Sequence, residues 1–253
     1  GIPLGTTVLL GCIIPLLAFL VLRFVPALTR VDRGAVAAHY GSTSLVTFSA
    51  ALVFLDNAGL QYEGVVTTLL VVMEIPGILL GIVLAKGGLR GLKDKELFRE
   101  VFLGKTVLLM LGGLVIGLLT GAQGFEKVKP LFVDAMPGLL TLFLLTLGIK
   151  AGQRLGEFKT LGWRMGAFAV VFPVFAGFLG AAAGSLAGLS IGGATALAVL
   201  CASASYIAAP AAVSVALPEA SASIPLVSSL GSTFPFNLVF GIPLYLQFAT
   251  WLG

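Results

Sequence analysis

Cys201-Ala-Ser-Ala-Ser-Tyr-Ile-Ala-Ala-Pro210 is the stretch whose reading decides the fold. It lies mid-way along an apolar run, yet it carries two hydroxyls, Ser203 and Ser205, followed by the helix breaker Pro210. A helix facing lipid has no use for that combination. Backbone freed at membrane depth must find partners in protein or in a wet cavity, so a break inside a span marks a site. Working outward, His39-Tyr-Gly-Ser-Thr-Ser44 repeats the feature, with Ser42 and Ser44 at the same Ser-x-Ser spacing. The two breaks predict a secondary transporter with its binding site between them.

The surroundings of both breaks are those of a membrane protein. Hydrophobic residues make up 58% of the chain and charged residues 10%, and the mean hydropathy is +1.09. A soluble domain carries about 25% charged residues. The net charge of +4 does not point to nucleic acid, because the basic residues form no patch and fall between apolar runs. Cys12 and Cys201 lie inside those runs without metal-ligand neighbours and read as two buried, small apolar side chains.

A helix needs about 20 apolar residues to cross the hydrocarbon. Eight runs qualify, at about 4–26, 34–56, 63–86, 103–121, 130–150, 163–187, 192–217 and 223–250. None alternates as a barrel strand does, so the expected fold is an all-α integral membrane bundle. The 33 glycines, and stretches such as Gly180-Ala-Ala-Ala-Gly184, suit close helix packing in lipid. Thirteen of the 15 basic residues fall in the connections on one side of an eight-span chain, leaving Lys127 and Lys129 opposite. That bias makes the common side cytoplasmic and puts both ends of this chain outside.

A shift of 161 carries Ser42 onto Ser203 and Ser44 onto Ser205, and carries the flanking spans onto one another. Five spans follow residue 103 and three precede it, so the expectation is two inverted five-helix repeats. Residues 1–86 would be the remainder of the first repeat, 87–103 a cytoplasmic loop, and 104–253 the second repeat. The register places about two further helices, roughly 60 residues, ahead of Gly1.

Helix interruptions expose N–H groups that attract small anions, and hydroxyls can orient an oxyanion or help to coordinate Na+. Glu74, in Met73-Glu-Ile-Pro76, lies at the centre of its span, where a carboxylate is expensive and by default functional. It could coordinate Na+, carry a proton or cap backbone freed by Pro76. In Phe234-Pro-Phe-Asn237, Pro235 breaks the ladder while Ser232, Thr233 and Asn237 offer oxygens suited to a hard cation. His39 reads equally as a proton site or a packing residue. Asp56, Asn57, Asp134 and Lys150 fall near span ends, where solvation, capping or snorkelling explains them. No nucleophile–base pair, phosphate loop or HExxH spacing occurs, which disfavours an enzyme.

These motifs, together with Gly241-Ile-Pro-Leu-Tyr245 and Leu147-Gly-Ile-Lys-Ala-Gly-Gln-Arg-Leu-Gly-Glu157, resemble the sodium-dependent bicarbonate transporter family, in its broad bacterial branch. The resemblance covers essentially the whole chain. It implies ten helices in two inverted repeats, of which eight are present here, divided into core and gate domains and assembled as a homotrimer in the inner membrane. It implies bicarbonate near Gly41, Ser42, Ser44, Ser203 and Ser205, and Na+ or site support from Ser42, Thr43, Glu74, Thr233 and Asn237. It implies Na+ as the coupling ion, no other cofactor, and a PII-like regulatory protein as a cytoplasmic partner. Three features differ from the cyanobacterial pattern. Tyr206 replaces an acidic residue, the first break reads Tyr40-Gly-Ser-Thr-Ser-Leu45, and the 87–103 loop is much shorter. The rivals are a proton-coupled organic-anion carrier using Glu74 or His39, and a non-transporting membrane sensor whose 87–103 loop docks a soluble partner.

Overall fold

A computed structural model describes residues 1–88, 95–154 and 158–253, and every regular element among them is helical. The helices are α1 (Ile2–Val21), α2 (Arg30–Gly41), α3 (Leu45–Asn57), α4 (Val66–Lys86), α5 (Lys95–Leu103), α6 (Lys105–Lys129), α7 (Met136–Arg154), α8 (Phe158–Leu186), α9 (Ile191–Ala202), α10 (Ala208–Ala216) and α11 (Ser223–Leu252). Six spans are long and apolar enough to cross a membrane. The run expected at 130–150 is occupied mainly by α7, Met136–Arg154, and the run expected at 192–217 is divided into α9 and α10. The chain is a multi-pass membrane protein.

Both expected breaks are real. The span at Arg30–Asn57 is interrupted over residues 42–44, and α9 is separated from α10 by residues 203–207. Pro210 is not what ends α9. It sits in the first turn of α10, where its missing N–H costs nothing. Pro235 likewise does not cut its span: α11 continues through it, widened by π-helical turns at Ser229–Thr233 and Asn237–Gly241.

Small residues fix how the broken helices are held. A Cβ on Gly81 would meet Ala38, and one on Gly34 would meet Ala85, so α2 and α4 touch almost backbone to backbone. On the other side a Cβ on Gly180 would lie 2.7 Å from Ala198 Cα, and one on Gly184 2.9 Å from Ala194 Cα. The Gly180–Gly184 stretch is thus the seat of α9, as close packing in lipid requires. Tyr40, Phe168 and Phe172 fill the space between the two halves, with Tyr40 edge-on to both rings.

The ends are tied as well. Thr29 and Asp32 form a reciprocal capping box at the start of α2, and the Asp32 carboxylate also accepts from Ser221 N at 2.8 Å. At the opposite end Glu63 accepts from Ser190 N at 2.6 Å, where α9 begins.

Three expectations are corrected. Cys201 is buried, but Cys12 is exposed on the outer surface of α1, because that helix turns only one face to the core. The expected loop 87–103 contains a helix: α5 is amphipathic, with Leu97 and Val101 one turn apart and buried against Ala209, Ala212 and Val213 of α10. Residues 89–94 of that loop, including Arg90 and Lys93, lie outside the described residues, as does Glu157 of the 147–157 motif. The expected end of a span at 121 is a kink at Gly121 (φ 58°), beyond which the chain stays helical to Lys129.

Candidate functional site

The two breaks meet. Ser205 N donates to the His39 carbonyl at 2.8 Å, and Ser44 N donates to Ser203 Oγ at 3.0 Å. Each broken span therefore satisfies backbone that the other leaves open, as burial at this depth demands. Positions related by the 161 shift share their conformation: Ser42 (φ −97°, ψ 166°) and Ser203 (φ −85°, ψ 164°) are both extended residues directly after a half-helix. The second serine of each pair serves the following half-helix, Ser44 Oγ accepting from Thr47 N at 3.2 Å and Ser205 Oγ from Ala209 N at 3.1 Å.

A cavity of about 400 Å³ opens beside this junction. Thr43, Ser44, Glu74, Ser205 and Tyr206 line its polar side, and Lys105, Leu109 and Met110 of α6 form the facing wall. Glu74 is buried on α4, and its Oε2 accepts from Thr43 Oγ1 at 2.7 Å. The contact exists because α2 and α4 approach at Gly41 and Gly77, where a Cβ on Gly77 would collide with the Gly41 carbonyl. Glu74 is thereby tied to the break, and no bond joins it to the backbone around Pro76. Ser42 Oγ is buried and has no partner among the described residues.

The predicted residues divide into two groups. Thr43, Ser44, Glu74 and Ser205 line the cavity. Gly41, Ser42 and Ser203 sit at the junction behind it. Thr233 and Asn237 are also buried behind it as braces. Thr233 Oγ1 donates to the Ala169 carbonyl at 2.6 Å and pairs with the Tyr40 hydroxyl at 2.7 Å. Asn237 Nδ2 donates to the Ala202 carbonyl at the end of α9 (2.9 Å), while its Oδ1 accepts from the Tyr245 hydroxyl (2.7 Å). Both side-chain polar atoms of Asn237 are thus engaged, Nδ2 on the end of α9 and Oδ1 on Tyr245 of its own span.

His39 is buried in α2, with Nδ1 2.8 Å from the Ala35 carbonyl of the preceding turn. A carbonyl only accepts, so Nδ1 carries the proton. Nε2 has no partner among the described residues, and the ring borders a second cavity of about 190 Å³ with Pro210, Ser214 and Leu217. Asp56, Asn57 and Asp134 are exposed at helix ends, and Lys150 lies in α7.

Two residues of the cavity were not singled out from the sequence as site residues. Tyr206 accepts from Ser44 Oγ at 3.2 Å, so the phenol noted in sequence as replacing an acidic residue of the cyanobacterial pattern stands at the cavity. Lys105 brings a cation to the cavity wall. It reads in sequence as one of many basic residues at a span end, and only the packing of α6 against the break gives it this position.

The arrangement offers two electrostatic faces. α3 and α10 begin at the junction and turn partial positive charge toward it, while α2 and α9 end there with their carbonyls. Hydroxyls and one carboxyl stand between. Such a junction suits a small anion and a hard cation held together. The model of one protein family, described as the Na+-dependent bicarbonate transporter superfamily, matches residues 1–250. No curated protein matches the chain.

Proposed function

We propose, from the premise that this chain belongs to the Na+-dependent bicarbonate transporter superfamily, that it carries a small anion, bicarbonate before others, in symport with Na+. One observation carries the proposal: two interrupted spans are joined by a main-chain bond, Ser205 N to the His39 carbonyl, and by Ser44 N donating to Ser203 Oγ, beside a cavity that also holds Glu74. The anion is assigned to the starts of α3 and α10, between Ser44 and Ser205. Na+ is assigned to the oxygens of Ser42, Thr43 and Glu74, with the carbonyl ends of α2 and α9 behind them. Gly41 and Ser203 close the junction, and Thr233 and Asn237 keep the two halves in register. Na+ offsets the charge of the anion, so the pair crosses the low-dielectric site at less cost than either ion alone.

The same reading places the chain in a bacterial inner membrane, as a homotrimer of inverted repeats working by alternating access, with a PII-like partner on the basic, cytoplasmic side. A proton-coupled organic-anion carrier has one supporting observation, the unpartnered Nε2 of buried His39.

Reconstitution of the full-length protein into liposomes, followed by labelled bicarbonate uptake, tests the proposal. Uptake should rise several-fold with an inward Na+ gradient, and uptake indifferent to Na+ would reject the coupling. If Glu74→Gln instead removes a pH dependence and leaves Na+ dependence intact, the proton-coupled reading takes its place.

A further inference from the structure

A groove of about 810 Å³ lies between the end of α1 and the first part of α8. It shares no lining residue with the cavity at the breaks. Its floor is aromatic, with Phe168, Phe172 and Phe175 one face of α8. Its head is basic: Arg23 and Arg164 border it together with Trp163, and no acidic residue lines it among the described residues. Arg164 is fixed in place, because its Nη1 donates to the Phe24 carbonyl at 3.1 Å and its Cζ lies 5.7 Å from the Trp163 ring centroid. That bond ties Arg164 to the residue that follows Arg23 in the chain. Neither arginine has a carboxylate partner among the described residues.

Two arginines at the head of an apolar groove, with no carboxylate partner among the described residues, attract an anion. Arginine binds phosphate through paired N–H donors, tryptophan settles at the headgroup level of a bilayer, and basic pockets between helices take up anionic lipid headgroups. We propose that this groove binds an anionic phospholipid, its phosphodiester between Arg23 and Arg164 and an acyl chain along Phe168, Phe172 and Phe175. A zwitterionic lipid has the same phosphate but brings its own cation, so it fits the head less well. The site stands independently of what the breaks transport.

The experiment compares phosphatidylglycerol with phosphatidylcholine of identical acyl chains, added to the purified full chain in detergent. Native mass spectrometry reads the bound lipid, and thermal melting reads its effect. Phosphatidylglycerol should be retained one to one and preferred by roughly 25-fold, at about five-fold per arginine. R23Q should lose most of one such factor, since this exposed side chain holds no other element in place. R23Q/R164Q should lose the preference altogether. Because R164Q also removes the bond to Phe24, R164K serves as a second variant: it keeps the charge without the fork, and the preference should fall. Equal retention of the two lipids overturns the proposal, as does a preference unchanged in R23Q and R164K. Inorganic phosphate reproducing the whole thermal shift also overturns it, since the groove would then be an anion site with no lipid in it.

Discussion

Gly77→Ala tests whether the α2–α4 contact positions the site. The added Cβ would overlap the carbonyl group of Gly41 and stand 2.7 Å from Gly41 Cα. Ordinary carbon–carbon contact is about 3.5–4.0 Å, so α4 must retreat from α2 by about 1 Å. The obstacle is backbone, and no rotamer change relieves it. The Thr43–Glu74 hydrogen bond spans the same interface at 2.7 Å. Stretched by about 1 Å it ceases to be a hydrogen bond, and it leaves a buried carboxyl without its partner at about 1–3 kcal/mol. Overpacking costs a further 1–3 kcal/mol or so. The sum, at least about 2 kcal/mol, corresponds to a melting point lowered by roughly 4–8 °C in a chain of this size. Uptake in liposomes should fall by about 100-fold, the usual penalty for a 1 Å misplacement at a working site. Gly112→Ala is the control, because nothing lies within 4 Å of its Cβ and alanine is the better helix former by up to about 1 kcal/mol. Should Gly77→Ala melt and transport like the parent protein, the contact does not position Glu74 and the assignment of the cation to Thr43 and Glu74 fails.

Two further outcomes follow from the hydrogen bonds. Asn237→Ala orphans the Ala202 carbonyl and the Tyr245 hydroxyl, both buried. It should lower stability by about 2–4 kcal/mol, read as a large drop in melting temperature with little change in helix content. Thr43→Val keeps the shape of the side chain and removes the hydroxyl, so the Na+ concentration for half-maximal uptake should rise about ten-fold or more. Thr43→Ser keeps the hydroxyl and should stay close to the parent; equal effects of the two would show that Thr43 acts by packing alone.

The breaks were legible because hydroxyls in an apolar run have no local explanation, and Glu74 for the same reason. Their meeting was foreseeable from the 161 shift alone, since matched interruptions in a bundle have each other's backbone to satisfy. The partners of the bracing residues were not legible. Sequence left Thr233 and Asn237 as either cation ligands or site support, because an oxygen carries no mark of what it will touch. Only packing reveals that Tyr40, Ala169, Ala202 and Tyr245 claim those atoms. α5 escaped notice because nine residues are too short for a search tuned to membrane spans. Proline misled at residues 210 and 235, since a proline starts a helix as readily as it ends one, and a π turn absorbs the missing donor. Cys12 misled because an apolar span has a lipid face as well as a core face, and a thiol is at home on either.

The two walls of the cavity are held by different forces, and that difference bears on how a site here could open. On one side α2 rests on α4 and α9 on α8 through glycine contacts at nearly backbone distance. Hydrogen bonds from the Ser205 and Ser44 main-chain N–H groups join the breaks to each other, so separating these helices exposes buried polar groups that lipid cannot satisfy. On the other side α6 buries almost none of its apolar surface, and α7 reaches the core mainly through Leu140 against Val46, Leu230 and Phe234. Apolar contact of that kind is nearly free to exchange, because acyl chains replace one hydrocarbon neighbour with another. In the transport cycle proposed above, exposure of the cavity to either side would belong to sliding between α6–α7 and the braced junction. Lys105, carried on the sliding wall, would then approach and leave the proposed anion site as it turns over.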